Sequence, residues 1–209
     1  MQNHERPAVH RAEDAVGMLT PLPLAAQALP GVGGVIKARS EHFVVEEILP
    51  YAACGAGEHV YLTFRRVGWN TADAADAIQQ RLGLAASDVG WGGRKDKTAV
   101  VVQTFSLRCG VNRSLDDVAR ALADLPFEIL GIDRHRTKIK TGHVAANRFT
   151  IVLTQTDAEA LPRALAIGER LKETGVPNFY GPQRFGYGMQ NVQRGFALLL
   201  AANKALRDP

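Results

Sequence analysis

Between Val35 and Val67 three short β-branched or aromatic runs follow one another: Val35 to Ala38, His42 to Ile48, and Glu58 to Val67. Only breakers separate them. Strand runs that succeed each other without a helix argue against a doubly wound parallel sheet. Helices come later. Asn70 or Thr71 caps one whose apolar face is Ala74, Ala75, Ile78 and Leu82, ending at Gly83. A strand over Val89 to Trp91 leads into a glycine-basic loop, and Val100 to Arg108 alternates as the next strand. Ser114, with Asp117 three residues on, opens a helix over Leu115 to Leu125.

Phe127 to Lys140 and Asn147 to Thr154 read as a pair of neighbouring strands. A helix from Asp157 to about Glu173 tolerates Pro162 in its first turns. Gly175 to Gln190 suits neither period and reads as a loop, and Asn191 to about Ala205 as a final helix. The fold class expected is α+β, with a mainly antiparallel sheet and flanking helices.

The chain has 209 residues, enough for one sizeable domain with appendages. Residues 1–30 hold Pro7, Pro21, Pro23 and Pro30 and no sustained period, so they read as an irregular tail before a domain over residues 31–209. The formal charge of +4 is compatible with a polyanionic partner but is not diagnostic of one. Cys54 and Cys109 make no metal-ligand spacing and fit a reducing compartment. The apolar stretch from Leu19 to Leu29 is broken by prolines and too short to span a bilayer. A cytoplasmic protein without a membrane partner is the simplest expectation.

Three constellations carry chemistry. From Arg134 to Thr156 there is no acidic residue, while Arg134, Arg136, Lys138 and Lys140 recur at every second position. On a strand they would line one face at a pitch of ~6–7 Å, close to the charge spacing of a nucleic-acid backbone. A solvated outer strand with charges against edge pairing is the competing reading. The second is Gly92-Gly93-Arg94-Lys95-Asp96-Lys97-Thr98-Ala99, in which three cations flank one carboxylate. Nearby positive charge keeps Asp96 ionised as a nucleophile or base. An exposed Lys-Asp-Lys turn would have the same composition. The third, Pro177 to Gly186, combines Phe179, Tyr180, Asn178, Gln183 and Arg184, the ingredients for stacking and reading an unpaired base. A packed loop with core aromatics is equally consistent.

In this order the segments resemble the TruD family of tRNA pseudouridine synthases. The family's GxKDxxA motif is matched by Gly93, Lys95, Asp96 and Ala99, and its NxxGxQRFG motif by Asn178 to Gly186. Lys37, Glu41, Phe43 and Val45 match an N-terminal element, Asn70 and Thr71 a helix start, and Asn147, Phe149 and Thr150 an N-x-F-T strand. The resemblance implies isomerisation of uridine to pseudouridine in tRNA, typically at position 13 of the D arm. Asp96 is then the catalytic residue. Lys37, Phe43, Asn178, Tyr180, Gln183 and Arg184 bind the target, and Arg94, Lys95, Lys97 and the cations at 134, 136, 138 and 140 meet the RNA backbone.

Such an isomerisation involves no redox change or hydrolysis, so neither cofactor nor metal is expected. The family pattern continues past the NxxGxQRFG helix with an inserted domain and closing strands, for which this sequence has no counterpart before Pro209. A partial catalytic domain is therefore expected, its missing half supplied by a separate chain. The alternative is a non-catalytic RNA-binding remnant.

Overall fold

A computed structural model describes residues 24–177, Gly181, Arg184, Asn191, Val192, Arg194, Gly195 and residues 197–199. Most of the expected tail, most of the Gly175–Gln190 loop and the end of the final helix lie outside these residues. Two compact units are distinguished. One runs from Gly33 to Ala158, and the other joins the segment before Gly33 to the segment from Glu159 onward.

The Gly33–Ala158 unit is built on a six-stranded sheet. Its strands are β1 (Phe43–Ile48), β2 (His59–Val67), β3 (Val89–Trp91), β4 (Val100–Arg108), β5 (Glu128–His135) and β6 (Ala146–Ile151). The order is β5-β2-β4-β1-β6, with β3 also on β4. Every pairing is antiparallel except β1 with β4. The α+β, mainly antiparallel expectation therefore holds, with one parallel pair reached through β2, a helix and β3.

One edge of β4 is shared. β1 pairs with its first half, Val44 opposite Val100 to Glu46 opposite Val102, and β3 pairs with its second half, Trp91 opposite Phe105 to Val89 opposite Leu107. β1 runs parallel to β4 and β3 runs against it, so their C-terminal ends converge on the register of Gln103.

Helices α1 (Thr71–Leu82) and α2 (Leu115–Leu122) pack on one sheet face. Asn70 starts α1 by accepting the Asp73 N–H at 2.9 Å, and Ser114 starts α2 by accepting the Asp117 N–H at 3.0 Å. The helical spacing of Ala74, Ala75, Ile78 and Leu82 places them against Val60, Leu62 and Phe64 of β2 and Phe105 and Leu107 of β4. Val118 and Leu122 of α2 complete that core. Inward positions recur at every second residue of β2 and β4, as the pleat requires.

Two strand expectations are corrected. Val35 to Ala38 forms only a bridge, Val35 with Thr154, in place of a strand. β5 and β6, read as neighbours, occupy opposite edges of the sheet, because β5 pairs β2 and β6 pairs β1. In the other unit, α3 (Ala160–Thr174) contains Pro162 near its start, as expected, and ends at Gly175 in a positive-φ conformation. The described residues between 191 and 199 are helical.

Candidate active site

The loop from Gly92 to Ala99 joins β3 to β4, and its path is set by what lies beneath it. At Gly90 an added Cβ would overlap the Ile139 carbonyl and come within 2.7 Å of Ser106 Oγ; at Gly92 it would overlap Val144 Cγ2. Close backbone approach therefore requires glycine at Gly90, and at Gly92 the Val144 side chain would have to move to admit a Cβ. Gly92 also accepts the Gly142 N–H at 2.8 Å. Gly93 is different: a Cβ there would meet only Lys95 Nζ, at 3.7 Å.

Past Gly93 the side chains divide between outside and inside. Arg94 and Lys97 are exposed. Asp96 is partly buried and ion-paired through Oδ2 with the Lys37 ammonium. Its other oxygen accepts the Thr98 N–H at 3.0 Å and the Thr98 hydroxyl at 3.1 Å. Burial pushes the Asp96 carboxyl up, but the Lys37 ammonium and the two Thr98 donors outweigh it and hold the group below the ordinary aspartate value. Asp96 is thus an anion at neutral pH, with both oxygens engaged by groups that hold its orientation.

Lys37 reaches Asp96 from a left-handed backbone conformation, φ 57°, in the segment before β1. Its ammonium also lies 4.1 Å from the Phe43 ring centroid, a cation–π distance. Phe43 in turn meets Phe149 edge-to-face at 6.0 Å, across the β1–β6 pairing. Asp96, Lys37 and Phe43, named from the sequence, are therefore brought together, and Phe149 of the N-x-F-T strand stands beside them.

Lys95 turns the other way. Its side chain is 8% exposed and its ammonium pairs with Glu47, whose side chain is fully buried. A backbone-phosphate contact expected for Lys95 is replaced by this internal pair. The acidic partner was not anticipated, nor were Gln103, Arg66 and Thr71, which surround it. Gln103 Nε2 donates to Glu47 Oε2 at 3.0 Å and to the Gly93 carbonyl at 2.7 Å. Gln103 Oε1 accepts from Arg66 Nη2 at 2.9 Å, and Thr71 Oγ1 accepts the Lys95 N–H at 2.9 Å. Burial pushes Arg66 down to about 10, against the opposing pull of Glu47.

A signal for this network does exist in the sequence. Glu47 follows Phe43 and Val45, Arg66 follows Val60, Leu62 and Phe64, and Gln103 lies between Val101 and Phe105, all at every-second-residue spacing. Polar residues at core-facing strand positions must find partners inside the fold.

The basic run is rearranged. β5 ends at His135, so Arg134, Arg136, Lys138 and Lys140 do not share one strand face. Arg134 donates to the carbonyls of Gly57 and Gly110, each at 3.0 Å, and to that of Arg113. Lys138 donates to the Ser87 carbonyl at 2.6 Å. Ile139, between Lys138 and Lys140, is buried, with its N–H on Ser106 Oγ at 2.9 Å. Arg136 and Lys140 are exposed. The pleat that would have aligned the four is lost where the chain folds over β3.

Asn178, Tyr180 and Gln183 lie outside the described residues. Arg184 belongs to the other compact unit, where its N–H donates to the Gly181 carbonyl at 3.0 Å. Among the described residues no group of three or more His, Cys, Asp or Glu side chains is placed to hold a metal ion. No described helix is long and apolar enough to cross a membrane.

Comparison with known proteins gives a consistent family. The model of tRNA pseudouridine synthase D (TruD) matches residues 23–201. The tRNA pseudouridine synthase D of Anaeromyxobacter sp. (strain Fw109-5) is 39% identical over 195 residues, which are 91% of this chain and 54% of that protein. The protein of the same name from Thermus thermophilus is 39% identical over 178 residues, 85% of this chain and 49% of its own length. A crystal structure described as that of a tRNA pseudouridine synthase D (TruD) from Methanosarcina mazei superposes with a TM-score of 0.67 at 24% identity. It covers 78% of this chain and 37% of that one, a likeness of fold. The chain spans about half the length of these curated relatives. With the GxKDxxA loop, the sheet and a matched span of residues 23–201 in agreement, the chain belongs to the tRNA pseudouridine synthase D (TruD) family.

Proposed function

We propose that this chain forms pseudouridine from uridine in tRNA, with Asp96 as the acting carboxylate. The observation that carries the reading is the Asp96 environment: an ionised carboxylate held by Lys37 and Thr98, beside the Phe43 ring, on the loop that matches the family motif. The reaction breaks the glycosidic bond between uracil N1 and the sugar and rejoins the base through carbon. It is therefore an isomerisation with no net oxidation or hydrolysis. The target base must first leave its stack, at a cost of a few kcal/mol, and be held by stacking and edge hydrogen bonds. Phe43 offers an aromatic face, and Asn178, Tyr180, Gln183 and Arg184 complete the set proposed for the target. A carboxylate fixed as Asp96 is can attack the sugar or base, or take a sugar proton, while the base is detached. Lys37 pairs with it and, with Thr98, holds its orientation.

Backbone contacts are proposed for Arg94, Lys97, Arg136 and Lys140, all exposed. The reading places the protein in the cytoplasm, where tRNA is available. The chain spans about half the length of its relatives, and the reading takes the rest of the pocket from the family's remaining sequence, whether in the same polypeptide or a second one. Incubation of the chain, together with that remaining sequence, with tRNA transcripts followed by pseudouridine mapping tests it. Product should form with the wild type and not with Asp96→Asn. Equal product from both would remove Asp96 from its role, and salt-dependent tRNA binding without product would reassign the chain as an RNA-binding module.

A further inference from the structure

We infer that Gln103 is the positioning residue of the Asp96 loop, a role that rests on the proposed reading of Asp96 as the acting carboxylate. Gln103 sits on β4 where β1 and β3 share one strand edge and their ends converge. It is fully buried. Its amide orientation is dictated by its neighbours. Arg66 can only donate, so Oε1 faces it at 2.9 Å; Glu47 and the Gly93 carbonyl can only accept, so Nε2 faces them at 3.0 and 2.7 Å.

Three anchors of the loop pass through groups that touch this amide, besides the Gly92 carbonyl on the Gly142 N–H at 2.8 Å and the Lys97 carbonyl on the Gly68 N–H at 3.2 Å. The Gly93 carbonyl is held directly. The Lys95 N–H is held at 2.9 Å by Thr71 Oγ1, whose own hydroxyl is directed at Gln103 Oε1 at 3.4 Å. The Lys95 ammonium is held by Glu47, on the same oxygen that accepts from Gln103. Asp96 follows Lys95 directly, so the backbone that carries the carboxylate is placed by residues 93 and 95, while Lys37 and Thr98 orient its oxygens. Gln103 touches neither Asp96 nor the open side of the site, which makes its role one of placement.

Gln103→Glu separates the two ends of the amide. A carboxylate still accepts from Arg66 and Thr71, but it cannot donate to the Gly93 carbonyl and it opposes Glu47. Gln103→Asn stays neutral and keeps an amide, but is one methylene too short to reach both ends. It keeps the test open where Gln103→Glu does not fold.

The measurement is residue-resolved hydrogen exchange on the full chain, with single-turnover pseudouridine formation on a tRNA transcript alongside, the remaining family sequence being supplied. The Lys95 and Thr98 amides should exchange about tenfold faster or more in either variant. Amides along the β2–β5 pairing, Val60 to Leu62, should keep their wild-type rates. The rate of product formation should fall about 10- to 100-fold with tRNA KM unchanged, as expected when a reacting group is displaced. Wild-type exchange in the loop of a folded Gln103 variant would overturn the inference, as would a uniform rise across the sheet. Should Asp96→Asn form product as fast as wild type, the catalytic reading fails, and loop exchange still decides whether Gln103 holds residues 93–98.

Discussion

Lys95 lies next to Asp96 in sequence, yet its ammonium points into the protein, and replacing it with methionine separates two roles. Lys95→Met keeps most of the stem's volume and removes the charge. The side chains of the pair are 8% and 0% exposed, so Glu47 would be left as a buried carboxylate with Gln103 as its hydrogen-bond donor. Breaking a buried pair from one side costs about 3–5 kcal/mol. Against a typical total of about 5–15 kcal/mol, that is a large fraction of the stability. For a chain of this length it corresponds to a Tm lowered by roughly 6–20 °C.

Urea denaturation followed by circular dichroism reads the loss as a lower midpoint at unchanged slope. The double variant Lys95→Met/Glu47→Leu should regain most of it, because replacing both charges removes the uncompensated one. A phosphate-binding Lys95 predicts the opposite pattern: unchanged stability and a weaker salt dependence of tRNA binding. A Lys95→Met midpoint within about 0.5 kcal/mol of wild type, the range of an ordinary surface change, would refute the internal-pair assignment.

Three further outcomes are expected. The folded Asp96 carboxyl titrates below its ordinary value, so its contribution to stability is complete above the unfolded pKa and is lost as pH falls through the folded one. Lys37→Met should move the Asp96 titration upward in a carboxyl-carbon NMR experiment, and an unchanged midpoint would contradict the pairing. Gly90→Ala, whose methyl meets the Ile139 carbonyl and Ser106 Oγ, should cost about 2 kcal/mol or more in chemical denaturation, whereas Gly93→Ala should stay within about 0.5 kcal/mol. Removing both exposed cations with Arg136→Ala/Lys140→Ala should lower the slope of log K against log salt for tRNA by roughly 1.4–1.8, while Arg134→Ala and Lys138→Ala should chiefly lower stability.

Local chemistry was readable wherever one segment satisfied itself. Asn70 and Ser114 cap helices because their side-chain oxygens reach N–H groups three residues on, a contact that needs no tertiary partner. The apolar spacing of α1 likewise gave the face that packs on the sheet. The same reasoning failed where a segment's meaning lay in distant residues. The alternating cations from Arg134 to Lys140 form a single face only on a continuous strand, and the chain leaves β5 at His135 to lay Ile139 into the interior. Arg134 then serves three carbonyls that nothing nearby in sequence announces.

For Asp96 the division is sharp. Its identity as the residue to watch can be read from the sequence once the Gly93–Ala99 motif is taken with the Asn178–Gly186 motif. Its cations cannot be assigned that way. Composition placed Arg94, Lys95 and Lys97 around the carboxylate, but adjacent side chains on a turn point in different directions. The partner is Lys37, 59 residues earlier, while Lys95 goes inward to Glu47. Only the sheet, with β1 and β3 meeting on one edge of β4, brings those groups within bonding distance. A carboxylate's charge partners are set by proximity in space, and here that proximity is a property of strand order.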